Sequence, residues 1–388
     1  MQRSASDDPM NPIECMQRAI ELAQLGLYST SPNPRVGCVI VNYGRIVGEG
    51  WHVRAGHAHA EVHALRQAGA AAAGATAYVT LEPCCHFGAT APCADALISA
   101  GVKQVVIAMV DPNPQVAGQG VRRLRAAGIS VAFGLLEQQA RQLNRGFIKR
   151  MVTGLPLVRV KMGISLDGRT AMHSGESQWI TGPLARAETQ RLRAQSSAVI
   201  TGADTVLRDQ ARLTIRKAEL QLEESQACLA MERPPLRVLI DSQRRVPPNA
   251  AFFTAGPTLV ATTSTSLTDP GEGQELLMFD AVDGQVPLEA LLKTLANRGA
   301  NEVLIEAGSR LVAAFARLNL VDEYIFHIAA KFLGSTAKPA LEWPIDKLGE
   351  AVRLEFTSVR PLGDDICVTA RPAGSAVLHP DNKACHQD

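Results

Sequence analysis

The chain has 388 residues, with 39 basic against 38 acidic side chains, a formal net charge of +1, 46% hydrophobic and 20% charged residues. That length implies about two domains with real cores, and the composition is that of a globular protein. The balanced charge, together with only 4% aromatics, argues against a polyanion-binding or base-stacking surface, so no nucleic-acid partner is expected.

Residues 1–11 read as a polar, frayed arm with no apolar signal segment. Pro12 then opens a helix in which Ile13, Met16, Ala19, Ile20 and Ala23 recur at spacings of three and four, and Gly26 ends it. Residues 36–41 and 46–49 flank a turn at 42–44, which predicts a hairpin. A helix is expected after His59, through Glu61, Val62 and Leu65. Strands at 75–80, 104–109 and 129–133 then alternate with helices at 95–100 and 119–127, the pattern of a layered α/β domain. A helical stretch from Glu137 runs into Gly154 and Pro156, which break the pattern, so a domain over 12–153 is expected to meet a second over 154–373. The second repeats the alternation, with strands at 157–162, 198–202, 236–240, 302–306 and 323–328 and helices at 183–194 and 309–318. Residues 219–235 and 262–274 read as surface insertions and 374–388 as a tail.

The longest uncharged run, 246–268, is interrupted by Pro, Gly, Ser and Thr and cannot be a spanning helix, so no membrane partner is expected. Eight cysteines are too sparse for a disulfide scaffold. The expected compartment is the cytoplasm, where clustered cysteines point to metal or catalysis.

The strongest local signal is His59-Ala60-Glu61, followed by Pro83-Cys84 and Pro92-Cys93. Zinc takes imidazole and thiolate ligands, and three protein ligands leave a fourth position open for water, the catalytic pattern. A proton shuttle is then needed, and Glu61 is the candidate. Positions i and i+2 of a helix diverge, so His59 and Glu61 converge only if His59 sits at the helix start. Zinc deaminases carry H-x-E and P-C-x-x-C; here the second cysteine, Cys93, comes nine residues after Cys84. A structural zinc would instead want a fourth ligand, which Cys85 or His86 could supply.

The second half has no G-x-G-x-x-G after its first strand, so an ordinary dinucleotide-binding fingerprint is absent. It has Glu306-Ala307-Gly308-Ser309-Arg310 between a strand and a helix, a small-residue turn that suits a phosphate but equally a plain cap. Lys161, Gly163, Asp167 and Arg169 crowd charge and glycine onto the end of a strand, and Ser177, Trp179 and Thr181 add hydroxyls and an indole. Arg193, Arg208 and Arg216 could clamp a phosphate ester.

Over residues 13–372 the sequence resembles the bifunctional deaminase/reductase family of riboflavin biosynthesis. The first half carries T-x-P-N-P-x-V-G at 30–37, G-x-H-x-x-A-G-x-x-H-A-E-V at 50–62 and T-L-E-P-C-x-H-x-G-x-x-x-P-C at 80–93, with the family's longer cysteine gap. The second half carries K-x-x-x-S-L-D-G-R-x-A at 161–171 and G-E-S-x-W-I-T at 175–181. The family's L-x-D-D-P-x-L-T-x-R reads here with Gln210 and Ala211 in place of the second Asp and the Pro. The resemblance implies a three-layer α/β/α cytidine-deaminase-like domain followed by a dihydrofolate-reductase-like α/β domain. It implies zinc on His59, Cys84 and Cys93, with Glu61 as proton shuttle and Asn33 and His52 as substrate contacts, although Asn33 between two prolines reads equally as a turn residue. NADPH is implied to touch Gly163, Trp179, Thr205, Asp209, Ser242, Gly308, Ser309, Arg310 and Leu311. The ribose-phosphate substrate is implied to meet Ser177, Arg193, Leu213, Arg216 and Glu306, with Lys161 and Asp167 positioning or protonating it. The implied chemistry is hydrolytic deamination of a phosphorylated diaminopyrimidine, then reduction of its ribosyl group to ribityl, in a homo-oligomer of two or four chains. Two other readings are a zinc deaminase of nucleic-acid bases, disfavoured by charge and aromatic content, and a zinc-stabilised binding module, in which Glu61 would be dispensable.

Overall fold

The structure is a computed structural model that describes residues 10–85, 92–114, 116–265, 271 and 273–375. Most of the expected arm and tail, together with His86 and Cys385, lies outside these residues. The chain divides into two compact units, one ending at Thr153 and the other beginning at Gly154.

In the first unit α1 (Pro12–Gln24) begins at a capping box in which Asn11 and Glu14 satisfy each other's backbone N–H, each at 3.0 Å, with Pro12 at the first helical position. β1 (Gly37–Asn42) and β2 (Arg45–Trp51) form the expected hairpin. Its turn is possible because Tyr43 and Gly44 take φ of 49° and 76°. The chain continues through α2 (Ala60–Ala68), β3 (Thr76–Val79), α3 (Cys93–Ser99), β4 (Gln104–Ile107), α4 (Gln119–Ala126), β5 (Ser130–Phe133), α5 (Glu137–Leu143) and α6 (Arg145–Thr153). The sheet order is β2-β1-β3-β4-β5, with β3, β4 and β5 parallel. Ala60, Ala64, Ala94, Leu97, Val121 and Leu124 bury the α2, α3 and α4 faces against one side of the sheet. Met16, Ala19, Ile20, Ala140 and Ile148 bury α1, α5 and α6 against the other. The result is three layers, helix–sheet–helix.

Close approach of α2 to β2 depends on Gly50, where a Cβ would run into the Ala60 carbonyl. The same glycine brings the start of α2, and with it His59 and Glu61, down onto the sheet.

The second unit contains β6 (Leu157–Ser165), β7 (Arg169–Ala171), α7 (Pro183–Gln195), β8 (Ala198–Gly202), α8 (Ala203–Asp209), α9 (Glu224–Glu232), β9 (Leu236–Ile240), β10 (Thr258–Thr262), β11 (Gln274–Met278), α10 (Leu288–Asn297), β12 (Glu302–Ile305), α11 (Ser309–Arg317), β13 (Glu323–Ala329), β14 (Lys338–Pro339), β15 (Leu354–Leu362) and β16 (Asp365–Pro372). Its main sheet runs β11-β10-β9-β8-β12-β6-β13-β16-β15. The strands from β11 to β13 are parallel, and β16 and β15 close one side antiparallel. Parallel strands need both faces covered. Leu288, Leu291, Leu292, Leu295, Val312 and Phe315 of α10 and α11 cover one face, and Ala185, Leu192, Ala203 and Val206 of α7 and α8 pack on the other.

Two sequence expectations are corrected here. Residues 219–235 are not a surface insertion: they contain α9, which buries Ala227 and Ala230, and the preceding Leu220 is fully buried. The expected insertion 262–274 is narrower at its ends, because Thr262 closes β10 and Gln274 opens β11, which pair in parallel; residues 266–270 and 272 lie outside the described residues.

Candidate functional site

His59 is the N-cap of α2, with φ −76° and ψ 167°, so its side chain leaves an extended residue while Glu61 leaves the first helical turn. This is the one arrangement in which the H-x-E spacing converges. Cys84 follows β3 in an irregular segment, and Cys93 is the first residue of α3. His59 Nδ1 lies 3.2 Å from Cys93 Sγ and 3.5 Å from Cys84 Sγ, and the Cys93 N–H points at the Cys84 sulfur from 3.3 Å. One donor atom from each of His59, Cys84 and Cys93 falls within 4.8 Å of the others. Cys85 stands apart, with its sulfur 3.6 Å from Gln119 Oε1, so among the described residues the donor set has three members.

The electrostatics of the cluster suit a cation. A hydrogen bond from Cys93, with another from His59, draws the Cys84 thiol down to about 4, while the Cys84 sulfur and burial push the Cys93 thiol up. Glu61 is only 3% exposed, and its Oε2 has no hydrogen-bond partner among the described residues. Burial, and after it the charge on Cys84, pushes Glu61 up to about 7. A buried carboxylate oxygen without a partner is costly, and it stays in place when a further group completes it. Two thiols, an imidazole and this orphaned oxygen therefore fit a zinc ion and the water it binds.

Beside the cluster, Asn33 Nδ2 lies 3.0 Å from His52 Nε2, and His52 Nδ1 lies 3.2 Å from the Ala58 carbonyl. The carbonyl can only accept, so Nδ1 carries the proton and Nε2 accepts from Asn33. Burial lowers His52 to about 4 and keeps it neutral. Its ring meets that of His59 edge-on at 5.2 Å.

In the second unit the sequence-selected residues gather at the carboxyl ends of parallel strands, where open α/β sheets bind ligands. Lys161 and Gly163 come from β6, Thr205 follows β8, Ser242 follows β9, and Glu306 and Gly308 follow β12. Arg193 of α7 and Glu306 form a buried bidentate pair, Nε–Oε1 at 2.6 Å and Nη2–Oε2 at 3.0 Å. Burial opposes ionisation, yet Arg193 holds the Glu306 carboxyl below its ordinary value, and Lys161 acts in the same direction. Lys161 Nζ lies 3.9 Å from where a Gly163 Cβ would stand, and Thr181 flanks the same gap at 3.6 Å. Leu213 adopts φ +52° beside α7, and Arg216 pairs with Glu219 at 2.9 Å on the exposed side. Trp179 is 58% exposed, with the Arg186 guanidinium over its ring at 4.8 Å. Ser177 is half-buried in the loop before it.

Two residues sit differently from a ligand contact. Asp167 accepts from the Ser165 hydroxyl at 2.5 Å and from the Leu333 and Gly334 N–H groups at 3.1 Å and 2.8 Å. These bonds, the Ser165 one foremost, hold it down to about 2, so it anchors a loop as an anion and has no proton to give near neutral pH. The Ser242 hydroxyl bonds Gln285 Oε1 at 3.2 Å and the Val286 N–H at 3.1 Å, fixing the end of β9. Gln210, the first of the two departures from the family pattern, takes φ +48° and caps α8 beside the exposed Asp209.

The start of α11 already holds an anion. Glu342 accepts from the Ser309 hydroxyl at 3.1 Å and from Arg310 Nε at 2.6 Å. Gly308 supplies the helix N-cap next to Thr205, and Leu311 packs over Gly202. That donor set, a hydroxyl and a guanidinium at a helix N-terminus, fits the phosphates of NADPH.

Comparison with known proteins matches residues 10–109 to the cytidine and deoxycytidylate deaminase zinc-binding region and residues 156–368 to the RibD C-terminal domain. The chain is 51% identical over 357 residues to riboflavin biosynthesis protein RibD of Escherichia coli, covering 91% of this chain and 97% of that one. The chain belongs to the RibD family. The RibD of Haemophilus influenzae is 46% identical over 366 residues, 92% of this chain and 97% of its own. Among solved structures, RibD of Acinetobacter baumannii superposes with a TM-score of 0.85 at 45% identity, covering 93% of this chain and 98% of that one. A diaminohydroxyphosphoribosylaminopyrimidine deaminase/5-amino-6-(5-phosphoribosylamino)uracil reductase of Thermotoga maritima does so at 0.81 and 35% identity, with 93% and 98% covered. As a RibD, this chain is a bifunctional enzyme of riboflavin biosynthesis with a zinc-binding deaminase domain and a reductase domain, and Zn2+ and NADPH are its implied cofactors. No helix among the described residues is long and apolar enough to cross a membrane.

Proposed function

We propose that the first unit hydrolyses the 2-amino group of 2,5-diamino-6-(5-phosphoribosylamino)pyrimidin-4-one, and that the second reduces the ribosyl group of the product to give 5-amino-6-(5-phosphoribitylamino)uracil. The observation that carries this reading is the convergence of His59, Cys84 and Cys93 around one point beside the unpartnered Oε2 of Glu61. Zinc, when bound by those three residues, supplies the Lewis acidity that makes water nucleophilic near neutral pH. Glu61 Oε2 takes the water proton and returns it to the departing amine. Asn33 donates to His52, and this neutral pair borders the pyrimidine pocket.

NADPH supplies the hydride when bound, with Trp179, Gly163, Thr205 and the Gly308–Leu311 turn as its cradle and Asp209 and Ser242 framing it. Arg193 and Glu306 hold each other in the geometry that meets the sugar, and Lys161 lies within their field. Arg216 is free to swing to the phosphate, because its present partner Glu219 is a half-exposed neighbour. Ser177 and Leu213 close the substrate side. Asp167 contributes by fixing the loop at Leu333, a positioning role.

The described cysteines are all free, which fits the cytoplasm. A homo-oligomer of two or four chains is supported by the edge strand β15, where Phe356 is 74% and Val359 62% exposed. Light scattering giving a monomer mass would remove that part of the reading.

Glu61→Gln tests the deaminase assignment. The variant is expected to keep its zinc and its reduction of the deaminated intermediate while losing deamination by at least ~10²-fold. Arg216→Ala should do the converse, weakening binding of the phosphorylated substrate of reduction and leaving deamination alone. Undiminished deamination in Glu61→Gln would refute the assignment.

A further inference from the structure

Cys84 lies in an irregular segment, so no strand ladder or helix of its own aims its sulfur. The residue two before it, Glu82, is 4% exposed and forms no ion pair among the described residues, yet both oxygens of its carboxylate are engaged. Oε2 accepts the Gly118 N–H at 2.9 Å and the Asp111 N–H at 3.2 Å, and Oε1 accepts the Val121 N–H at 3.2 Å. The Glu82 N–H is itself bound to the Met109 carbonyl at 3.0 Å. The carboxylate thus gathers the loop after β4 and the first turn of α4 around the chain that leads to Cys84. The next residue completes the contact: the Pro83 carbonyl seats directly on Gly120, where any Cβ would collide with it. Beyond it, the Cys84 carbonyl accepts the Ala94 N–H at 3.1 Å, tying the segment to α3.

We infer that Glu82 is a positioning residue of the zinc centre, fixing the Cys84 sulfur by locking residues 82–84 to the Asp111–Val121 stretch through three backbone N–H groups. It touches neither metal nor substrate. Its shape requirement is strict: a carboxylate offers two acceptor oxygens to these donors, and an amide of the same size replaces one of them with a donor that faces N–H groups. Groups that orient metal ligands typically change metal affinity by 10- to 100-fold when removed. The inference rests on the zinc reading of His59, Cys84 and Cys93.

The test uses the full-length chain with zinc and cobalt as probes. Glu82→Gln should bind zinc about 10- to 100-fold more weakly in chelator competition. Its cobalt-substituted form should show altered thiolate-to-metal charge-transfer bands, and reduction of the deaminated intermediate by NADPH should be unchanged. Gly120→Ala leaves the carboxylate intact but displaces Pro83, and should weaken zinc and alter the cobalt bands in the same direction. Unchanged zinc affinity and cobalt bands in both variants would overturn the inference. So would a loss of reduction in parallel with zinc, because that marks general unfolding. A parent chain that binds no zinc would instead overturn the metal reading beneath it.

Discussion

His59 illustrates how a residue's role depends on one pair of dihedral angles. In an unbroken helix, His59 and Glu61 would point away from each other. As the extended N-cap of α2, His59 turns toward Cys84 and Cys93 while Glu61 remains beside them. The sequence motif contains this constraint, so the cluster of His59, Cys84 and Cys93 with Glu61 beside it was legible in the sequence. Glu82 was not, although it lies inside the same T-L-E-P-C motif: its partners are backbone N–H groups of residues 111–121, which no side-chain pattern reports. Arg193 and Glu306 show the same limit, since they pair across 113 positions. Asp167 is the opposite case: its acidic character stands out in the motif, and the structure spends it on a loop. A further residue, His327, stood outside every motif. It is fully buried on β13 with neither ring nitrogen partnered among the described residues. Burial, then Lys161 of β6, Arg360 of β15 and Arg191 of α7, lower it to about 3, and Cys367 of β16 is its uncharged neighbour across the ladder. With the folded pKa below the unfolded value of 6.5, its contribution to stability is present above pH 6.5 and is lost as pH falls toward 3. The loss should approach roughly 1.4 kcal/mol per pH unit. Unfolding curves of His327→Phe and the parent should therefore diverge in pH dependence below about pH 6, the variant being flatter; parallel curves would refute this.

At the scale of elements, α2 owes its position to Gly50. Gly50→Ala would push a Cβ into the Ala60 carbonyl, which belongs to the helix backbone and cannot swing aside. We expect a stability loss of about 1–3 kcal/mol and weaker zinc binding, because the start of α2 carries His59 and Glu61. Gly74→Ala is the control: its φ of +72° brings strain but nothing lies within 4 Å, so zinc affinity should be untouched. Calorimetry and chelator competition on the two variants check both statements. Elements with a strong helical period, such as α1, or a compact apolar run free of Pro, such as β3 and β4, were legible in the sequence. Others were not, each for a physical reason. α9 buries only alanines on its inner face, so little amphipathic contrast marks it. β10 sits in a stretch rich in Pro, Ser and Thr, and its five residues are buried on both faces, leaving no alternation to read. β15 is exposed along nearly its whole length and shows no alternation either. α10 is different: Leu288, Leu291, Leu292 and Leu295 carry the helical spacing openly, although the helix is not among the elements expected above.

The whole molecule joins two α/β units that present chemically unrelated sites. The first concentrates thiols, an imidazole and a buried carboxylate; the second concentrates guanidinium groups, a lysine and a helix N-terminus that already attracts a carboxylate. The central claim is that the product of the first site is the substrate of the second. Its most direct measurement is NADPH oxidation by the full-length protein, with and without chelation of zinc, started by either the diaminopyrimidine nucleotide or its deaminated product. With zinc, both should drive oxidation. After chelation, the diaminopyrimidine should drive none while the deaminated compound still does, and restoring zinc should restore the first response. Oxidation that starts equally well from the diaminopyrimidine in the chelated protein would contradict the account.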